Sequence, residues 1–282
     1  MYRVFRDDKM NESFLRDGYL VVDLLGAAQT AELLNFHQKL NDNNAAIVNF
    51  TINKDASDNR KMSHDALASV LREPIGANLA DFRMFGPNFV TKPAGTDHLN
   101  LHMDATVVDE ISEMSVNCWC TLHDVDEEYG CLTVVPQSHR WTRQVRAFGD
   151  QLDRSPFKNI VPIIEKEHEI AVPLKSGQAI YYHERTIHGS MPNKTNKLRI
   201  STLAGNRPAR TEGLFHHRYP DGQVEQFIAN EEFYWNDNFV YRRPERAVSL
   251  GFVDVIDEPA LTEKEFHEMV QYYADHPFEG LF

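Results

Sequence analysis

Leu99-Asn100-Leu101-His102-Met103-Asp104 and, further on, Gly130-Cys131-Leu132-Thr133-Val134-Val135-Pro136-Gln137-Ser138-His139 carry most of the architectural information in this 282-residue chain. His102 and Asp104 lie two residues apart in a strand-like run. On a strand such residues share a face, with Cα atoms roughly 6–7 Å apart. An imidazole and a carboxylate can then converge on one metal ion. A second histidine must come from elsewhere, and His188 is the best placed. Two histidines and one carboxylate leave coordination positions open, which is the ligand set of non-haem Fe(II) oxygenases. The tripeptide alone means little. With 13 histidines and 42 acidic residues, roughly two His-x-Asp/Glu matches are expected by chance. Weight therefore rests on companions.

Outward from that stretch, composition sets the class. A hydrophobic fraction of 42% and a charged fraction of 25% suit a globular protein with a sizeable core. A net charge of −13 argues against nucleic-acid or anionic-membrane binding, since an acidic surface favours neither counterion release nor lipid attraction. Three cysteines are too few for a disulfide framework, and reduced buried thiols are expected. The N-terminal residues lack the apolar core of a signal peptide, and no run approaches the ~20 apolar residues of a membrane span. A cytoplasmic protein is expected.

Along the chain, Asn11 or Ser13 is expected to cap a short helix that Gly18 stops, followed by a β run over 19–25. Gly26 breaks it, and Thr30 caps a helix bearing Leu33, Leu34, Phe36 and Leu40. Residues 41–61 read as a loop over the site, and 63–73 as a helix. Residues 81–93 read as strand, turn, strand with the break at Gly86-Pro87. Short strands over 99–104, 114–123, 131–135, 169–173, 178–183 and 197–204 follow at the spacing of an all-β sandwich or barrel. Residues 207–282 read as a loop-rich C-terminal extension of the same domain. Its helix over 262–274 opens on a Thr262/Glu265 capping box.

The companions of the His-x-Asp pair come next. His188 follows a strand-like run, and Arg199 sits in Lys197-Leu198-Arg199-Ile200-Ser201-Thr202-Leu203, where alternation puts Arg199, Ser201 and Leu203 on one face. An arginine on the inner face of a barrel is costly unless paired, and its guanidinium fits a carboxylate through two hydrogen bonds. The pattern therefore suits a co-substrate with a carboxylate at one end and a metal-chelating group at the other. His183 lies five residues before His188, an odd separation that puts them on opposite strand faces, so it is assigned a structural role, as are His123 and His139. His98 is assigned to a loop, and His216-His217 to a solvated loop. Arg207, Arg210, Arg242, Arg243 and Arg246 are ascribed to surface pairing. The sharper alternative is that some of them, with Tyr234, Trp235 and Tyr241, close a pocket for an anionic or zwitterionic substrate.

His102-x-Asp104, Trp119, Gly130-Cys131-Leu132 through Pro136-x-Ser138-His139, His188-Gly189-Ser190 and Arg199, with the opening Phe14-x-x-x-Gly18-Tyr19-Leu20-Val21-Val22, together resemble the phytanoyl-CoA dioxygenase family of Fe(II)/2-oxoglutarate oxygenases. The resemblance covers about residues 14–206. It implies a mainly β fold, a double-stranded β-helix (jelly roll, cupin-like) with flanking N-terminal helices. It makes His102, Asp104 and His188 the iron ligands and O2 the oxidant. Arg199 with Ser190 would hold the distal carboxylate of 2-oxoglutarate, Trp119 would pack against that co-substrate, and Lys92 would line its pocket. Gln137 stands where the family usually has glycine. The implied reaction is hydroxylation of an unactivated C–H bond of a small or medium-sized metabolite, with release of succinate and CO2. Asp104 speaks against halogenation, because related halogenases have Gly or Ala at that position. Two other classes stay open. One is a cupin-like iron enzyme that does not use 2-oxoglutarate, against which Arg199 and Trp119 stand. The other is a non-catalytic jelly-roll binding protein, which has no need for the His-Asp-His set. The small-molecule substrate and the oligomeric state are not specified.

Overall fold

Every residue of the strand Val116–Thr121 (β5) is buried, although its sequence alternates in character. The alternation sorts side chains between two cores. Val116, Cys118 and Cys120 point to one face and join Phe14, Leu15, Leu33, Leu67 and Leu71. Trp119 points to the other and joins Leu132, Val134, Val172 and Ile180. The strand is thus sandwiched between helices outside and a second sheet inside, each fully buried large apolar side chain contributing about 1.5–3 kcal/mol. The three cysteines are free and buried.

The structure is a computed structural model that describes residues 2–40, 48–53, 57–236, 239, 242–255 and 258–282. The helices are α1 (Asp8–Asp17), α2 (Ala27–Lys39), α3 (Ser57–Asn78), α4 (Val161–Glu167), α5 (Phe233–Asn236) and α6 (Glu263–Asp275). The remaining strands are β1 (Tyr19–Asp23), β2 (Asn49–Phe50), β3 (Phe82–Lys92), β4 (Leu99–His102), β6 (Leu132–Val134), β7 (Ile170–Val172), β8 (Gln178–His183), β9 (His188–Ser190), β10 (Arg199–Pro208), β11 (Leu214–Arg218), β12 (Val224–Ile228) and β13 (Ser249–Val253). The larger sheet runs β1-β8-β5-β10-β3-β2 and the smaller β4-β9-β6-β7, with every pairing antiparallel. Two antiparallel sheets face to face, closed by helices on one outer face, make the double-stranded β-helix. No helix among the described residues is long and apolar enough to cross a membrane.

Several local expectations are corrected. Asp7, not Asn11 or Ser13, caps α1, and its side chain accepts from the Met10 amide. Gly18 ends the helix in the left-handed conformation at φ 80°. Gly26 is the N-cap of α2, while Thr30 lies inside the helix and donates to backbone carbonyls. The loop expected over 41–61 contains β2 and the start of α3; residues 41–47 and 54–56 lie outside the described residues. α3 runs past Pro74 to Asn78, because Leu67, Leu71 and Ile75 in the core offset the hydrogen bond that proline cannot make. The turn expected at Gly86-Pro87 is instead a bulge in one long strand. Phe85 pairs with Gly205 and Asn88 with Leu203, so Gly86 and Pro87 together face Ala204. A bulge is where a strand tolerates proline, and Gly86 takes the φ of 53° it requires.

Residues 207–282 also hold more structure than expected. β11, β12 and β13 form a three-stranded antiparallel sheet. Phe215, Phe227, Phe233 and Phe239 pack around it. His216 is not solvated: it lies on β11, 1% exposed, with Nδ1 2.8 Å from the Thr106 carbonyl. α6 carries the expected capping box and buries Phe266 beside Trp141 and Phe157.

Candidate active site

β4 and β9 are neighbours in the smaller sheet, and their register sets His102 directly opposite His188. The two rings lie 4.3 Å apart, centroid to centroid. Asp104 joins them, and ligand atoms of all three residues lie within 4.8 Å of one another. The Asp104 carboxylate is 4.0 Å from His102 Nε2 and 3.7 Å from His188 Nε2. Each imidazole has Nδ1 at 2.9 Å from a backbone carbonyl, Asn100 for His102 and Thr186 for His188. Those carbonyls hold the proton on Nδ1 and turn the Nε2 lone pairs toward the shared centre, the second-shell arrangement of metal-binding histidines. Burial, with His102 adding to it, pushes the His188 imidazole down to about 4, so it is neutral and ready to ligate.

The convergence does not arise from a shared strand face. β4 ends at His102, and Asp104 lies beyond it outside any strand. Asp104 is held from three sides instead. Its amide donates to the Glu184 carbonyl at 3.0 Å. Its carbonyl accepts from Arg146 Nε at 2.6 Å, and Arg146 is itself clamped on Glu110 at 2.6 Å. Its carboxylate accepts from Asn117 Nδ2 at 2.6 Å. Asn117 was legible in principle: it lies two residues before Trp119 on β5 and shares its inward face. Arg146 and Glu184 had no signal in their local sequence.

Gly189 sets the spacing of these strands. A Cβ there would meet the Leu99 carbonyl at 2.5 Å and Thr133 Oγ1 at 3.2 Å. Gly189→Ala is therefore expected to push β9 off β4, destabilising the fold by about 1–3 kcal/mol as overpacked substitutions do. Iron affinity should fall as well. A thermal melt and an iron titration check both; an unchanged melting temperature would contradict the close approach.

The second half of the site lies where β10 meets β3. Arg199 pairs with Lys92 across the ladder, and the two are 1% and 0% exposed. The Arg199 guanidinium stacks over Trp119 at 5.2 Å, and one of its nitrogens donates to the Gly130 carbonyl. Its Nε has no partner among the described residues. Lys92 Nζ donates to Ser190 Oγ at 3.0 Å and to the Met191 carbonyl. Burial first, and Arg199 second, push the Lys92 ammonium down to about 7. Among the described residues no carboxylate lies within 4.0 Å of either cation. Two adjacent buried cations with an unpartnered donor are costly unless an anion joins them. A dicarboxylate that chelates a metal at one end fits this donor set. Arg199, Lys92, Ser190 and Trp119 are thus brought together.

Beside His102 and Asp104 opens a cavity of about 310 Å³. Phe85, Leu214, Phe215, Tyr234 and Phe239 line it, so the C-terminal segment forms part of its wall. No arginine lines it, contrary to the pocket considered for Arg207, Arg210, Arg242, Arg243 and Arg246. Arg210 pairs with Glu113 and Arg243 with Glu225, as surface pairing predicts. Trp235 packs on His64 outside the cavity, and Tyr241 lies outside the described residues. His183 and His139 are buried near Gly18, His183 accepting from the Arg185 amide and His139 facing the Leu15 carbonyl. His98 is an exposed loop residue beside Asp97. Gln137 adopts φ 69°, the left-handed conformation that glycine takes at no steric cost, and its Oε1 accepts from Arg140.

The fold and this constellation define an iron- and 2-oxoglutarate-dependent oxygenase. The phytanoyl-CoA dioxygenase (PhyH) family profile matches residues 14–201, and the chain belongs to that family. Its cofactor is Fe(II), with 2-oxoglutarate and O2 as co-substrates. A curated relative, the dioxygenase olcK of Penicillium canescens, is 22% identical over 74% of this chain; the match spans 65% of that protein's length. Among solved structures, the α-ketoglutarate-dependent carbocyclase SnoK from nogalamycin biosynthesis superposes with a TM-score of 0.55 at 17% identity, over 73% of this chain and 86% of its own. The epimerase SnoN, in complex with Fe3+, α-ketoglutarate and nogalamycin RO, gives 0.54 at 21% identity over 89% and 93%. HygX from Streptomyces hygroscopicus, with nickel and 2-oxoglutarate bound, gives 0.53 at 16% over 72% and 88%. These likenesses establish the shared fold.

Proposed function

We propose that this protein hydroxylates an unactivated C–H bond of a small or medium-sized metabolite, with residues 1–282 acting as one domain. The observation that carries the reading is the pair of buried basic side chains, Arg199 and Lys92, which have no carboxylate partner among the described residues, beside a His-Asp-His set. His102, Asp104 and His188 hold iron through Nε2, a carboxylate oxygen and Nε2. Arg199, stacked on Trp119, takes the distal carboxylate of 2-oxoglutarate, and Lys92 and Ser190 line the same pocket. Iron with 2-oxoglutarate and O2 supplies the oxidising power, the co-substrate leaving as succinate and CO2. The chain's own part is to orient and to exclude. Asn117 and Arg146 fix Asp104, the carbonyls of Asn100 and Thr186 fix the two imidazoles, and aromatic side chains from 207–282 keep water from the face of the centre that the substrate approaches. Asp104 would supply a carboxylate ligand where a halogenating enzyme would leave room for halide, which supports hydroxylation over halogenation.

The test is 2-oxoglutarate-dependent succinate release with Fe(II) and a metabolite library, the product read by mass. Gain of one oxygen atom supports hydroxylation; loss of two hydrogens means ring closure or desaturation, and unchanged mass means epimerisation. No succinate with any substrate would favour an iron enzyme that does not use 2-oxoglutarate, and no stoichiometric iron would favour a binding protein.

Lys92 supplies a second test. Its pKa of about 7 lies below the 10.5 of a free lysine. At pH 8 the buried amine is largely neutral, and an arriving carboxylate favours its charged form. Binding of 2-oxoglutarate at pH 8 is therefore expected to draw close to one proton from solvent, an uptake that fades below pH 6 where Lys92 is already charged. Calorimetry in buffers of different ionisation enthalpy measures it. Lys92→Met should abolish the uptake; an uptake that persists would remove Lys92 from the pocket.

A further inference from the structure

Tyr234 comes from α5 in the C-terminal extension, yet its side chain forms part of the wall of the cavity beside His102 and Asp104. Two glycines make room for the wall. Gly86, left-handed at the β3 bulge, lies under the Tyr234 ring, and a Cβ there would meet two ring carbons at 3.0 and 3.2 Å. Gly205, paired with Phe85 across the ladder, lies under the Phe85 ring, and a Cβ there would strike the ring tip at 2.3 Å. The Phe85 and Tyr234 rings are then 5.2 Å apart with their planes at 30°, and both line the cavity. Phe233 and Phe239 meet Tyr234 at nearly right angles and hold its plane. Other polar side chains of the wall have partners within the protein. Asn117 donates to Asp104, Thr106 Oγ1 accepts from the Arg146 amide, and Asp150 is bound by Arg218. Asn88 donates to the Gly86 carbonyl, and Glu184 accepts from Ser115. Gln151 is exposed. Tyr234 has a single polar side-chain atom, and that hydroxyl makes no hydrogen bond among the described residues. It is not walled in by protein, because it keeps accessible surface. Burial pushes the phenol above its usual range, so at neutral pH it is a hydroxyl able both to donate and to accept.

Resting on the iron/2-oxoglutarate reading, we propose that Tyr234 recognises the substrate: its hydroxyl hydrogen-bonds an oxygen of a ring-bearing molecule whose ring lies against Phe85 and Tyr234. Two rings so close to parallel offer a flat apolar face, and a rigid ring covers such a face at less entropic cost than a flexible chain. A polar atom set in an apolar wall without a protein partner is the means by which small-molecule sites fix orientation. His102, Asp104 and Tyr234 line one cavity, so a molecule held at Tyr234 presents another part of itself to the metal set. A volume of about 310 Å³ lies at the lower end of the roughly 300–1,000 Å³ of small-molecule sites, which fits one or two fused rings. The C-terminal extension thereby supplies specificity to a centre built by the two facing sheets.

The experiment uses the full chain loaded with Fe(II) and 2-oxoglutarate in the absence of O2, and two probes, 2-indanol and indane, the same fused rings with and without a hydroxyl. Tyr234→Phe is expected to weaken 2-indanol about fivefold by calorimetry, the effect of one neutral hydrogen bond, and to leave indane unchanged. Tyr234→Leu, which also removes the ring, should weaken both probes, indane by roughly threefold or more. The Tyr234→Phe apoprotein should melt no lower than the native one, because the lost hydroxyl has no partner in the protein; a lower melting temperature would make it a structural group. Equal effects of Tyr234→Phe on both probes, no effect on either, or no binding of 2-indanol to the native protein at millimolar concentration would each overturn the proposal. Indane binding undiminished in Tyr234→Leu would overturn its ring half. Should that variant fail to fold, Phe85→Leu takes its place with the same expected loss for both probes. Titration of Fe(II) and 2-oxoglutarate into the same preparation separates the two levels: failure there removes the enzyme reading, whereas probe failure with both intact removes only this one.

Discussion

Arg199→Met is expected to abolish the rise in melting temperature that 2-oxoglutarate gives the iron-loaded protein, while leaving the melting temperature of the apoprotein unchanged or higher. The two halves have one cause. Arg199 is 1% exposed, its Nε has no partner, and its nearest charged neighbour on β3 is another cation, Lys92. Burying a guanidinium without a counter-charge costs several kcal/mol. Methionine removes that cost and fills similar volume, at the loss of the donor to the Gly130 carbonyl, worth about 1–3 kcal/mol. The apoprotein therefore breaks even or gains. The ligand-bound protein loses a charge-assisted pair, about 2–5 kcal/mol, so the KM for 2-oxoglutarate should rise roughly 30-fold or more. A variant that melts well below the native apoprotein would show that Arg199 is part of the scaffold rather than a clamp.

His188→Ala and His102→Ala should each leave the purified protein with little bound iron and no succinate release. Changes to residues that merely orient ligands typically cost 10- to 100-fold in metal affinity, so removal of a ligand itself should cost at least about that much. The two variants differ in stability. His188 is 3% exposed and its loss leaves a buried void, whereas the partly exposed rim position of His102 permits water to enter. His188→Ala should melt lower than His102→Ala although both lose iron. Asn117→Leu, which takes the donor from Asp104 but leaves all three ligands, should fall between native and ligand variants in an iron titration. Iron retained at full stoichiometry in either histidine variant would dissolve the assignment.

The strands of the two facing sheets were legible because short apolar and β-branched runs recur at regular spacing between turn residues. β8 was placed to the residue, and β5, β6 and β7 within a few. The same periodicity misled at Gly86-Pro87, where local turn chemistry was outvoted by pairing on both sides of a bulge. It was silent over 214–253, where short strands with charged and histidine residues hold their place through Phe215, Phe227 and Phe233 rather than through a local pattern. The arginines after residue 206 form a charge cluster along the chain, yet among the described residues none of them lines the cavity, whose wall is largely aromatic. Charge along a chain does not say which way a side chain points.

The sequence by itself determined the chemistry class, through the His-x-Asp pair together with its companions. His102, Asp104, His188 and Arg199 are the residue types an iron and a dicarboxylate require, and their order along the chain matches the family. Only the tertiary structure decided how they meet. Asp104 reaches the centre not from a strand face but because Asn117, Arg146 and the Glu184 carbonyl draw it there from three distant segments. Only the fold, too, placed Phe85 and Tyr234 in one cavity. The reason is that ligand identity is written in single residues, whereas a pocket's lining is a sum over side chains that the sequence keeps far apart.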